Sequence, residues 1–136
     1  MKGGGEVSDQ GRQSILLVDN DPSVLQALVA RLASVGYRCE SACSGGQALS
    51  LFQAHGADLV ISDLNMPGGD GGSLADNLRR ISDVPIIIIS GFADASQTKL
   101  GDFKNVQFLK KPFETSQLLD LIDEVFGIEH AFAAQE

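Results

Sequence analysis

The apolar positions of this chain fall into short, dense runs rich in Val, Ile and Leu, separated by stretches whose apolar residues recur at helical spacing. The runs are Ile15 to Val18, a weaker one from Tyr37 to Ala42, Leu59 to Ile61, Val84 to Ile89 and Val106 to Leu109. Each reads as a strand. Helices are predicted over Ser23–Val35, Gly46–Ala54, Ser73–Ile81, Asp94–Leu100 and Thr115–Phe126. In the first, Val24, Leu28, Leu32 and Val35 are expected to form the apolar face, with Pro22 at the first helical position and Asp21 as N-cap. In the last, Leu118, Leu121, Ile122 and Val125 make a stripe that ends at Gly127, a residue suited to terminating a helix.

Ile86-Ile87-Ile88-Ile89 has no polar alternation, the pattern of a strand covered on both faces. Strand and helix alternate five times. That predicts an α/β domain with a five-stranded, doubly wound parallel sheet, helices on both faces and the flavodoxin-like order 2-1-3-4-5. The expected organisation is a flexible glycine-rich lead-in or cloning remnant over residues 1–14, one domain over 15–127, and a tail over 128–136 that frays or extends the last helix.

Composition narrows the function classes. With 43% hydrophobic and 21% charged residues over 136 positions, the chain can bury a core without disulfides or a structural metal. Ten basic against 18 acidic residues give a net charge of -8 and no basic patch, which argues against direct nucleic-acid binding. No apolar run reaches membrane-span length and no charged-then-apolar leader opens the sequence, so a cytoplasmic protein with no membrane association is expected. Cys39 and Cys43 would lie about 13 Å apart on one face of a strand, too far to bridge. They read as buried or half-buried free thiols in a reducing compartment. A zinc site would need further ligands, and His55 and His130 have no recognisable spacing.

In a sheet of this kind ligands bind where the strands end, near the switch in strand order. After the first run comes Asp19-Asn20-Asp21; after the third, Asp63, followed by Asn65 and Pro67; after the fourth, Ser90-Gly91; after the fifth, Lys111-Pro112. Asp19, Asn20 and Asp63 should converge on one rim, where clustered carboxylates call for a hard cation such as Mg²⁺. Ser90 and Lys111 could then hold an anion, the set that phosphoryl transfer to an exposed carboxylate requires. Each residue also has a plainer reading. Asp21 suits an N-cap better than a ligand, Asp63 to Pro67 could be a turn, Ser90 a strand end and Lys111 a surface lysine. Other motifs carry less. Gly68-Gly69-Asp70-Gly71-Gly72 lacks the Gly-Lys-Ser/Thr of a phosphate loop and reads as a mobile loop. His55 before Gly56 suits a helix C-terminus, and no nucleophile elbow is present.

Four motifs in order resemble the receiver domain of two-component response regulators from about Ser14 to Gly127. They are Ile15-Leu-Leu-Val-Asp19; Ile61-Ser-Asp63-Leu-Asn-Met-Pro67 with Asp70-Gly71; Ile89-Ser90-Gly91; and Phe108-Leu-Lys-Lys111-Pro112-Phe113. The resemblance implies that Asp63 accepts a phosphoryl group from a histidine kinase or histidine phosphotransfer protein. It implies Mg²⁺ bound by Asp19, Asn20, Asp63 and the backbone carbonyl of Asn65. Ser90 would bond a phosphoryl oxygen, Lys111 would pair with its charge, and Phe108 would be the aromatic switch, although a core Phe explains that position equally well.

Such a protein is a phosphoacceptor that assists its own phosphorylation and dephosphorylation rather than a turnover enzyme. Two departures stand out. Asn20 takes the place of a second acid, which predicts weaker Mg²⁺ binding. Gly101-Asp-Phe-Lys-Asn-Val replaces the usual Gly-Ala before the last strand, which leaves the output surface open. The Asp-Asn pair also looks like receivers attached to hybrid histidine kinases. With no output domain after the last helix, a stand-alone receiver and a piece of a larger protein are both expected possibilities. The rival readings are a degenerate receiver acting only as a protein-interaction module, and a flavodoxin-like cofactor binder, which no aromatic-rich loop supports.

Overall fold

The computed structural model describes residues 13–64, 71–91 and 104–127. Five parallel strands, β1 (Ser14–Val18), β2 (Arg38–Ala42), β3 (Leu59–Asp63), β4 (Ile86–Ser90) and β5 (Val106–Lys110), form one sheet in the order β2-β1-β3-β4-β5. Four described helices accompany them: α1 (Pro22–Ser34), α2 (Gly45–His55), α3 (Gly71–Ile81) and α4 (Thr115–Phe126). The expected fold class and strand order are those observed. The helix expected over Asp94–Leu100, the segment from Gly101 to Phe103, the tail over 128–136 and residues 1–12 of the lead-in lie outside the described residues. Ser14 itself opens β1, in register with Arg38.

Alternation along each strand sends side chains to two cores. Leu16, Val18, Val60, Ile86 and Ile88 pack with Ala48 of α2 and Leu74, Ala75 and Leu78 of α3. Ile15, Leu17, Leu59, Ile61, Ile87 and Ile89 pack with Leu25 and Leu32 of α1 and Leu118 and Ile122 of α4. Helices therefore cover both faces, which is why the four isoleucines of β4 need no polar alternation. Phe108, level with Ile88, is half-buried against the α2–α3 side.

The caps follow the sequence closely. Asp21 accepts the Ser23 N–H at 2.9 Å and Pro22 begins α1. Gly127 ends α4 in the left-handed conformation, φ 69°, where only glycine is unstrained. His55 closes α2 and pairs with Glu40 of β2 at 2.9 Å.

The apolar face of α1 differs from expectation. Val24 and Val35 are 39% and 51% exposed, while Leu25 and Leu32 are buried with Leu28 and Val29 packed beside them. At 3.6 residues per turn those four make a compact stripe, and Val24 and Val35 lie roughly 70–90° from its centre. Cys43 also departs from expectation: β2 ends at Ala42, so Cys43 lies beyond the strand and is exposed, whereas Cys39 is half-buried and its thiol is pushed up to about 11 by burial. Gly71 and Gly72 of the expected loop begin α3, and Gly68, Gly69 and Asp70 lie outside the described residues. Among the described residues no helix is long and apolar enough to cross a membrane.

Candidate functional site

The carboxyl ends of β1, β3, β4 and β5 meet on one rim of the sheet. Asp19 directly follows β1, and its N–H donates to Ala42 O at 3.1 Å, extending the β1–β2 ladder by one residue. Its Oδ1 accepts the Asp21 N–H at 2.9 Å, which turns the chain toward α1. Asp63 is the last residue of β3. The following Leu64 N–H donates to Ile89 O at 2.8 Å, so the backbone around Asp63 is fixed from β4. Ser90 ends β4, and its carbonyl accepts the Lys111 N–H at 2.7 Å. These three polar side chains are held in place by the strands that carry them: Asp19 is 9%, Asp63 7% and Ser90 2% exposed.

Lys111 directly follows β5, which is not β3's neighbour. Its long stem crosses the end of β4 beside Gly91, where a Cβ would lie 3.9 Å from Lys111 Cδ. The ammonium Nζ then reaches Asp63 Oδ2 at 3.3 Å. Only Lys or Arg could span two strand spacings of about 4.8 Å each and still deliver a charge. The Lys111–Pro112 peptide bond is cis.

The rim is electrostatically loaded. Burial pushes the Asp19 carboxyl above the usual range; its bond from the Asp21 N–H pulls it back, Asp63 and Asp21 add repulsion, and Lys111 offsets part of it. Asn20 follows Asp19 on the rim and is exposed. Asn65, expected to offer its carbonyl, lies outside the described residues. Among the described residues no three His, Cys, Asp or Glu side chains are grouped to hold a metal ion, so the acidic donors here number two, Asp19 and Asp63. Phe108 packs, half-buried, against the α2–α3 core.

A cavity of about 600 Å³ lies elsewhere, lined by Ser14, Tyr37, Arg38, Glu40 and His55 at the amino ends of β1 and β2. It is remote from the strand ends where the charged groups converge. One structural residue gave no recognisable sequence signal: Arg79 donates to Lys104 O at 3.1 Å, to Ser82 O at 2.6 Å and to Val84 O, tying the end of α3 to the starts of β4 and β5. Only the tertiary structure brings those carbonyls together.

The chain as a whole is similar to known proteins. Residues 15–123 match the family model for the response regulator receiver domain. The chain is 36% identical over 108 residues to a probable transcriptional regulator ycf27 of Porphyridium aerugineum, covering 79% of this chain and 45% of that protein. It is 36% identical over 119 residues to the sensor kinase CckA of Brucella abortus, covering 85% of this chain and 13% of that one. The chain thus spans about half the length of the first relative and a small part of the second. Among solved structures, chemotaxis protein CheY4 of Vibrio cholerae superimposes with a TM-score of 0.78 at 28% identity, covering 85% of this chain and 99% of that one. A receiver domain protein of Clostridium thermocellum shares the fold with a TM-score of 0.77 at 24% identity, covering 85% and 94%. With the family model, these relatives and the fold in agreement, the chain belongs to the response regulator receiver domain family of two-component signalling.

Proposed function

We propose that this domain accepts a phosphoryl group on Asp63 from a histidine kinase or histidine phosphotransfer protein in the cytoplasm and switches conformation in response. The observation that carries the reading is the Lys111 ammonium 3.3 Å from the Asp63 carboxylate, reached across the intervening strand. A Lys serving only solubility has no reason to span β4 toward a buried acid.

In the transfer, an Asp63 carboxylate oxygen attacks phosphorus and forms the new O–P bond. The P–N bond to the donor imidazole breaks, and its electron pair returns to that nitrogen, which then takes a proton. Lys111 balances the charge that builds on the phosphoryl oxygens. Asp19 and Asp63, two oxygen donors in a repulsive pair, fit a hard divalent cation; with Asn20 and the Asn65 carbonyl they would hold Mg²⁺. When bound, Mg²⁺ would supply positive charge to the same oxygens. The Ser90 hydroxyl donates to a phosphoryl oxygen, and Phe108 repacks against the α2–α3 core as Ser90 moves. The domain is therefore a phosphoacceptor that assists its own chemistry rather than a turnover enzyme.

Intact mass after incubation with acetyl phosphate and Mg²⁺ tests this. One added phosphoryl group, lost in Asp63→Asn and in EDTA, is expected. No adduct from acetyl phosphate or from a phosphorylated kinase, with the fold intact by circular dichroism, would overturn it.

A further inference from the structure

An open groove of about 320 Å³ runs between the end of α1 and α4, on the face of the sheet remote from α2 and α3. Val35, Tyr37, Ser116, Leu119, Asp120 and Asp123 line it. Its floor and walls are apolar: Val35 is half exposed, Leu119 is half-buried, and the Tyr37 ring rests on Phe126 with centroids 5.8 Å apart. The Tyr37 hydroxyl donates to Asp123 Oδ1 at 3.3 Å, so one wall is braced. Burial and the Asp123 charge push that phenol up to about 12, which keeps it a donor at neutral pH.

The rim of the groove is acidic. Helix α4 carries Asp120, Asp123 and Glu124 in its last two turns and no Lys or Arg at all. That is the helix end where the backbone dipole already concentrates negative charge and where a cation is favoured. Among the described residues neither Asp120 nor Glu124 has a cationic partner within ion-pair distance.

We propose that this groove docks a basic helical segment of a partner protein, which inserts one apolar side chain between Val35 and Leu119 and sets Lys or Arg against Asp120 and the end of α4. A groove between two helices suits a third helix, whose ridge of side chains fills it. The charge selects the occupant. A net charge of -8 repels nucleic acid and anionic membrane. A second copy is disfavoured as well: Arg79 is committed to carbonyls, Arg80 pairs with Asp76 at 3.3 Å and Arg31 is a single cation on α1, so the described helices offer no basic stripe. The proposal stands apart from the phosphoacceptor reading, because none of these residues belongs to the rim around Asp63.

The test uses the full chain, labelled with ¹⁵N, and an alanine-based helical peptide of about 18 residues carrying one Leu flanked by Lys on the same face. Two control peptides replace the Lys residues by Glu, or the Leu by Ser. Amide shifts centred on Val35, Tyr37, Ser116, Leu119 and Asp120 are expected, with affinity that falls as salt rises and about tenfold weaker binding to Asp120→Lys. Asp120 is exposed, so the variant should fold and still take up a phosphoryl group from acetyl phosphate. Both control peptides should bind at least tenfold more weakly. Shifts scattered over the surface, unchanged affinity in Asp120→Lys, or equal binding of the Ser peptide would each overturn the proposal. So would concentration-dependent shifts at these residues without peptide, which mean a second copy. Shifts there on deleting residues 128–136 would overturn it too, by making the chain's own tail the occupant.

Discussion

Replacing Lys111 by Met separates a phosphoryl-stabilising lysine from a merely structural one. Met keeps most of the stem that passes beside Gly91 and removes only the charge. At the observed 3.3 Å, a unit charge pair is worth about 5 kcal/mol at an effective dielectric of 20 and about 1.3 kcal/mol in bulk water. The Lys111 side chain is 43% exposed against 10% for Asp63, so solvent screening sets the attraction near the lower figure, about 1–2 kcal/mol. One further negative charge developing on the phosphoryl oxygens in the transition state gains a similar amount from the same ammonium. Losing it should slow phosphoryl uptake roughly five- to thirtyfold. The resting fold should lose no more than about 1 kcal/mol, because the partner is half in water. A time course of the mass adduct with acetyl phosphate and Mg²⁺ gives the first number, and urea unfolding in EDTA gives the second. An uptake rate equal to the parent's would refute the assignment of Lys111. A stability loss above about 3 kcal/mol would show that the pair serves the fold instead.

Asn20→Asp should bind Mg²⁺ about five- to tenfold more tightly, since it adds a carboxylate to a rim holding two; equal affinities in a metal titration would sink that idea. Asp19→Asn should stabilise the metal-free domain at pH 7, because burial holds that carboxyl above its unfolded value of 3.8 in the folded state. An acid raised in the folded state binds more protons there than in the unfolded chain, so parent stability falls as pH rises from 3.8 through the folded value. Unfolding curves in EDTA should show that fall in the parent and lose it in the variant. In α1, Leu32→Ala should cost about 2–5 kcal/mol and Val35→Ala under about 1, which urea unfolding would read directly.

Strand order and the rim were legible for one physical reason: both follow from features that repeat along the chain. Uninterrupted apolar runs such as Ile86 to Ile89 require cover on both faces, and in that topology the residue after each run lies at the same end of the sheet. Capping was equally local, as Asp21 and Gly127 show. Helix faces were less legible. Val24, Leu28, Leu32 and Val35 satisfy helical spacing, but so do Leu25, Leu28, Val29 and Leu32, and only the position of the sheet decides between two overlapping stripes. Contacts between distant segments left no trace in the pattern. The three carbonyls held by Arg79 and the Tyr37–Asp123 bond, 86 residues apart, depend on where the backbone has already been placed.

Asn20 is the residue where the chain departs from the two-acid pattern, and burial decides how much that matters. The acidic side chains of the rim are Asp19 and Asp63, both buried, and burial, with repulsion from Asp63 behind it, raises the Asp19 carboxyl. Charges there are less exposed to solvent than one at position 20, so removing either should weaken the attraction for a cation more. Position 20 faces water, where a carboxylate's charge is largely screened and adds a modest increment. A third acid would also add to the repulsion that the metal-free fold carries, against which Lys111 is the opposing cation within ion-pair reach of Asp63 among the described residues. The exchange of acid for amide at Asn20 is therefore expected to weaken metal binding modestly, and it leaves the Lys111–Asp63 ion pair in place.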